Sequence, residues 1–419
     1  MNKDNKIVPE LRFPEFVNEG EWDEPTLGEI SDRIEKKAGD RKLITVSISA
    51  GVGFVSQAEK FSRDISGQQY KNYIVLKKGE FSYNKGNSKK FPQGCIYKLK
   101  EFDEVAAPNA FISFKFKDNY NGDFYQGYFD NNYHGSQLQK FITSGARMDG
   151  LLNISANNFF TIKFPTPKNK LEQQKIASCL SSLDELLNAH TQKLDTLKEH
   201  KKGLMQQLFP AEGETVPKLR FKEFENDGEW VETTLGNAGT FINGRAYSQN
   251  ELLDAGKYRV LRVGNFFSNN SWYFSDLELD DEKYCDNGDL LYAWSASFGP
   301  RIWSGEKVIY HYHIWKVVEK NGIDKLFLFL LLDYHTEQIK SKQANGLGMM
   351  HITKGSIESW ECCMPSNLAE QQKIANFLSS IEDEITAQTQ KIEGLKKHKK
   401  GLMQGLFPVM QGDCGSSPQ

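Results

Sequence analysis

The 419-residue sequence has no CxxC pair, no proline followed by proline or aspartate, no G-x-x-x-x-G-K-[ST] loop and no excess of basic charge. Each gap closes a class of function. The six cysteines, Cys95, Cys179, Cys285, Cys362, Cys363 and Cys414, sit at irregular spacings that suit neither a zinc site nor a disulfide framework, and they fit a reducing compartment. Without Pro-Pro there is no Asp/Asn-Pro-Pro-aromatic loop for amino-methyl transfer. Without Pro-Asp the commonest form of the Pro-Asp…Glu-x-Lys nuclease signature is missing too, and without the phosphate loop so is a P-loop ATPase. The net charge of −3 creates no global basic field, so any contact with a polyanion must come from local patches. The longest apolar run, Leu326 to Leu332, is too short to span a bilayer, and MNKDNKIVPE has no apolar signal core. A soluble, cytoplasmic protein is expected.

What the sequence does have is a duplication. Glu172 to Pro210, EQQKIASCLSSLDELLNAHTQKLDTLKEHKKGLMQQLFP, returns as Glu370 to Pro408, EQQKIANFLSSIEDEITAQTQKIEGLKKHKKGLMQGLFP. In the first copy Ile176, Leu180, Leu183, Leu187, Leu194, Leu197, Leu204 and Leu208 alternate at four and three, interrupted at His190 and Lys201. The second copy has Ile374, Leu378, Ile381, Ile385, Ile392, Leu395, Leu402 and Leu406, interrupted at Gln388 and Lys399. That spacing is a coiled-coil seam, and a helix of this length runs roughly 55 Å. The natural partner of each seam is the other copy. The plainer alternative makes each helix core material of its own domain.

A second repeat leads each half. PELRFPEF…GEWDEPTLGEI from Pro9 recurs as PKLRFKEF…GEWVETTLGNA from Pro217, 208 positions on, whereas the helices are offset by 198. The length change falls in the divergent middle, which in the first half holds LITVSI, NYIVLKKGEFSYN, GCIYKLKEF and NAFISFKF, broken by Gly, Asn and Asp. The second half answers with KYRVLRVGNFF, GDLLYAWSASFG, KVIYHYHIWKVV and a predicted helix around KLFLFLLLDYHTEQIKSK. GEFSYN and GDLLYA align Gly79 with Gly288, Phe81 with Leu290 and Tyr83 with Tyr292. The expected fold class is α/β. Two similar mixed α/β domains (9–170 and 217–367) are separated by two long repeated helices (171–210 and 368–408), forming an antiparallel coiled coil in a pseudo-two-fold arrangement. A proline-bounded linker at 211–216 reads as a hinge or a turn, and 409–419 as a disordered tail.

Several stretches have the chemistry to contact DNA, and each also reads as plain solvated surface. Lys85, Asn87, Ser88, Lys89 and Lys90 combine phosphate neutralisation with base-edge hydrogen bonding. Arg147 adds a cation. In the second half Trp294, Ser295, Ser297 and Arg301 hold the equivalent place, and Arg245, Tyr247, Arg259, Arg262 and Asn265 form another group. His311 and His313 would share a strand face but lack a third ligand, so no metal site is expected. The same residues read as one amphipathic strand. His190 and Gln388, near the midpoints of their helices, are candidates for fixing the coil's register.

These paired motifs, LRFPEF…W…LGEI with LRFKEF…W…LG and the two EQQKIA…LSS…TQK…HKKGLMQ…LFP helices, resemble the specificity subunit of type I restriction-modification systems over nearly the whole chain. The resemblance implies that each variable domain is a target-recognition domain reading one half of an asymmetric bipartite DNA site. It also implies that the helices are a spacer and dock two modification subunits. This chain would have no catalytic residues and bind no cofactor. S-adenosylmethionine would act in the modification partner, which methylates adenine at N6, and ATP with magnesium in a restriction partner. The competing class is a coiled-coil scaffold whose duplicated domains bind only proteins; sequence-specific, salt-sensitive DNA binding separates the two.

Overall fold

The structure is a computed structural model that describes residues 7–86, 91–142, 152–267, 269–295, 298–343 and 352–408. By contacts the chain forms two units: Met1–His190 with Lys391–Gln419, and Thr191–Gln390. Each long helix, Lys170–Leu208 and Leu368–Leu406, therefore contributes one stretch to each unit.

In the first unit one sheet orders its strands Ser31–Arg33, Ile112–Phe116, Phe81–Asn84 and Cys95–Lys98, all antiparallel. A second sheet orders Gly53–Ser56, Ile44–Ser49, Glu104–Ala107 and Ile74–Lys77, with its two middle strands parallel. The second unit repeats both. Gly239–Asn243, Ile314–Glu319, Leu290–Ala293 and Gly299–Ile302 form the antiparallel sheet. Tyr273–Ser275, Tyr258–Leu261, Val308–Tyr310 and Tyr284–Cys285 form the mixed one, again with parallel middle strands. Registers match as well: Phe81 faces Phe114 and Tyr83 faces Ile112, as Leu290 faces Val317 and Tyr292 faces Trp315. Gly79 and Gly288, at φ of 90° and 89°, make the same left-handed turn before those strands, a conformation that side chains with a Cβ resist.

The helix ends are core, not overhang. In the first unit Ile176 and Leu180, near the start of one helix, share a core with Leu402, Met403 and Leu406 at the end of the other, which is antiparallel packing. In the second unit Met205 and Leu208 meet Ile374, Leu378, Ile381 and Ile385. Phe407 packs on Phe124 and Tyr128 beneath the first antiparallel sheet, and Phe209 packs on Phe327 and Tyr334 beneath the second. Space for Phe407 comes from Gly127, where a Cβ would lie 2.6 Å from the ring. The seam interruptions have partners of their own. Lys399 Nζ reaches Asp184 at 2.5 Å and Lys201 Nζ reaches Glu382 at 2.7 Å, each lysine stem mostly buried while its ammonium pairs. Gln388 is buried at 7% exposure and His190 half-buried. Leu183, Leu187, Leu194, Leu197, Leu204 and Leu395 are half-buried too, and Ile392 is buried. The linker at 211–216 is a turn held to the second unit: Trp230 N–H donates to Thr215 O and Tyr334 Oη to Pro210 O.

Candidate nucleic-acid interface

In the second unit, strand ends and their loops gather at a turn. His311 and His313, expected to alternate on a strand, lie instead in the turn between Val308–Tyr310 and Ile314–Glu319. The chain is drawn into that turn because His311 N–H donates to Leu261 O, Ile314 N–H to His311 O, and Trp294 Nε1 to Tyr312 O. Arg245 exchanges backbone hydrogen bonds with Tyr310 and Tyr312, and the Tyr247 ring lies 6.3 Å from that of His311. Arg262 follows Leu261 directly and bears electrostatically on His311. Burial first, then His313 and Arg262, pushes the His311 imidazole down to about 4, so it is neutral at pH 7. Arg245, Tyr247, Arg262, Trp294 and, one helical turn past Arg262, Asn265 thus come together around one turn.

Their side chains are held in place. Arg245 Nη2 bonds Glu251 Oε1 at 2.7 Å, and this bond, with those from Ser248, draws the Glu251 carboxyl down to about 2. Arg262 lies 4.2 Å over the Tyr273 ring and donates to Ser271 O, while Asn265 Nδ2 donates to Asn269 O and Ser271 O. Among the described residues, four buried atoms of this group have no hydrogen-bond partner: Arg245 Nη1, Tyr247 Oη, Arg262 Nε and Asn265 Oδ1. A buried polar atom left unpaired costs about 1–3 kcal/mol, so such a cluster marks an unfinished network.

Cations resting on rings extend across the same unit. Arg259 lies over Trp272 and pairs with Glu306, Arg301 lies over Phe266 and Phe267, Lys257 over Tyr258 and Lys307 over Tyr284. A braced cation has less rotamer freedom to lose on meeting a phosphate, and each ring contact adds about 0.5–1 kcal/mol. Lys257 and Lys307 lie outside the candidate groups that the sequence suggests. The adjacency of Lys257 to Tyr258 is a visible signal, whereas Tyr284 is far from Lys307 in the chain.

The first unit builds its counterpart differently. Lys85 O accepts from Leu152 N–H at 2.9 Å, as Trp294 O accepts from Ile352 N–H at 3.0 Å, so the two residues hold the same place in the fold. Tyr83 Oη donates to Gln93 O, closing the base of the loop over His134, which burial pushes down to about 4. Asn87, Ser88, Lys89, Lys90, Arg147 and Ser297 lie outside the described residues, and Ser295 is half-buried beside Trp294. Among the described residues no three His, Cys, Asp or Glu side chains gather as metal ligands, and no helix is long and apolar enough to cross a membrane.

Residues 227–397 match the family described as type I restriction modification DNA specificity domain. The specificity subunit of the type I restriction enzyme MjaVIII from Methanocaldococcus jannaschii is 26% identical over 289 residues, covering 64% of this chain and 67% of that one. The chain is similar to type I restriction-modification specificity subunits. Solved structures agree on the fold. The S subunit of the type I system of M. genitalium superposes at a TM-score of 0.60 with 15% identity, covering 97% of this chain and 100% of its own. A chain from a study of complex assembly and conformational transition in the type I system gives 0.56 with 14% identity, covering 92% and 97%. The family match falls on the second half of the chain. The first half carries the same leading motif, strand order and helix.

Proposed function

We propose that this chain is a specificity subunit that reads an asymmetric bipartite DNA target, one half with each unit, and directs adenine N6 methylation by two modification subunits that bring S-adenosylmethionine. Restriction subunits using ATP and magnesium would act on the same complex. The chain itself has no catalytic role in this reading; its work is to choose the site. The observation that carries the proposal is a conserved frame with divergent loops. Strand order, register and helix packing repeat between the units, while the loops at the equivalent strand ends carry Lys85 in one and Arg245, Arg262, Asn265 and Trp294 in the other. Two copies of one scaffold with different loop chemistry suit two different half-sites, with cations for phosphates and with arginine and amide side chains for base edges.

The test is to sequence modified bases in cells carrying the modification subunits with and without this chain. A bipartite N6-methyladenine motif that appears only with the chain is expected. Methylation that is unchanged on its removal, or a complex that binds no duplex selectively, would overturn the reading in favour of a protein-binding scaffold.

A further inference from the structure

The internal duplication assigns a reading element that charge and amide content do not reveal. In the second unit, the connection between Tyr258–Leu261 and its edge strand Tyr273–Ser275 carries Arg262 and Asn265. The parallel middle strands align Thr45–Ala106 with Leu261–Tyr310, so the equivalent connection in the first unit is the tight tip joining Ile44–Ser49 to Gly53–Ser56. At that tip Val52 is 74% exposed, the most exposed large hydrophobic among the described residues. The tip is held firmly. Val52 N–H donates to Ser49 O at 3.0 Å, Gly51 N–H to Tyr97 Oη at 2.7 Å, and Gly51 and Gly53 take φ of 85° and 110°. No charged residue occurs from Leu43 to Ala58, in a chain that is 26% charged.

We propose that the Ser49–Gly53 tip is a base-reading element of the first unit, with Val52 contacting the 5-methyl group of a thymine in the major groove. This rests on the reading of the chain as a DNA-target subunit. The tip brings no cation to a phosphate and its most exposed side chain is apolar, so on DNA Val52 suits an apolar group at a base edge, and thymine's methyl is the apolar group the major groove presents. Valine is smaller than the Phe, Leu, Ile and Met side chains that proteins wedge between base steps in the minor groove. A rigid tip also positions the isopropyl group without an ordering cost at binding.

The experiment uses the full chain assembled with its modification subunits, and duplexes of its methylated target in which each thymine is replaced singly by uracil, which removes only the methyl. One position is expected to weaken wild-type binding about fourfold, the equilibrium equivalent of one buried methyl group. The Val52→Ser complex should bind the thymine and uracil duplexes equally at that position. Val52→Ala should fall between. If both complexes bind the target selectively and no thymine distinguishes them, Val52 does not read a methyl and the proposal fails while the DNA-reading role stands. Failure of Val52→Ser to assemble with the modification subunits would put Val52 at a protein interface and also sink it. If the wild-type complex selects no sequence, the functional reading falls and the proposal with it.

Discussion

Arg12 and Glu172, 160 residues apart, form a two-pronged ion pair, Nε to Oε1 and Nη2 to Oε2, both at 2.8 Å, with Trp22 Nε1 donating to the same carboxylate. Arg220 and Glu370 repeat it at 2.7 and 2.8 Å, with Trp230 in the place of Trp22. Both carboxylates are almost fully buried. Next to them, Gln173 caps the backbone at Asn121 and Pro167, and Gln371 caps it at Asp324 and Pro365. The repeated LRF…W and EQQ words are thus two halves of one clamp, which ties each leading segment to the start of a long helix.

Arg12→Ala should destabilise the first unit by about 3–5 kcal/mol, because it leaves the Glu172 charge buried and unpaired. Replacing both partners, Arg12→Met with Glu172→Met, should recover most of that loss. Denaturant unfolding of the single and double variants measures it, and a double variant as unstable as the single one would show that packing, not charge, decides.

Charge along the long helices should favour their antiparallel pairing. Asp184 and Glu185, or Glu382 to Glu384, precede the midpoints, and the HKK segments follow. Antiparallel alignment sets acid against base, and parallel alignment would set like against like. Lys399→Asp is expected to cost on the order of 1 kcal/mol, and Asp184→Lys in the same chain to restore it. Thermal unfolding of the cycle is the check.

His134 should make the first unit acid-sensitive. Its imidazole is pushed from 6.5 to about 4 by burial, so the unfolded chain takes up a proton that the folded one refuses. Stability is full above pH 6.5, falls on the order of 3 kcal/mol as pH drops to 4, and is flat below. His134→Gln should flatten this part of the pH profile in urea titrations. His311 would contribute in the same direction in the second unit.

On DNA, Arg259→Gln should weaken matched and mismatched duplexes alike and lower the salt slope by about 0.9, the signature of a lost phosphate contact. Removing charge at Lys85, Lys89 or Lys90 should do the same through the first unit. Arg262→Gln should instead relax one position of the motif, since Arg262 belongs to the cluster of unpaired polar atoms. Salt-dependent binding of cognate and scrambled duplexes separates these outcomes.

Exchanging residues 31–170 for another recognition domain should change one half of the methylated motif and leave the other half alone. Simultaneous change of both halves, read by methylation sequencing, would show that the units do not read independently.

The sequence by itself determined the duplication, the seam, the long helices and the strands that carry Tyr83 and Tyr292. The duplication is plain from the repeated words, and the other features are set by periods of two and three and a half residues and by glycine turns, all within a few positions of one another. Tertiary structure alone decided that Glu172 and Glu370 are buried anchors, that Phe209 and Phe407 are core, and that the seam lysines pair with Asp184 and Glu382. Only folding put His311 in a turn beside Arg245 and Arg262, and only the shared strand order made Val52 the counterpart of that loop. Each of these depends on partners tens to hundreds of residues away. A polar side chain's role is fixed by what burial brings next to it, and local spacing carries no record of that.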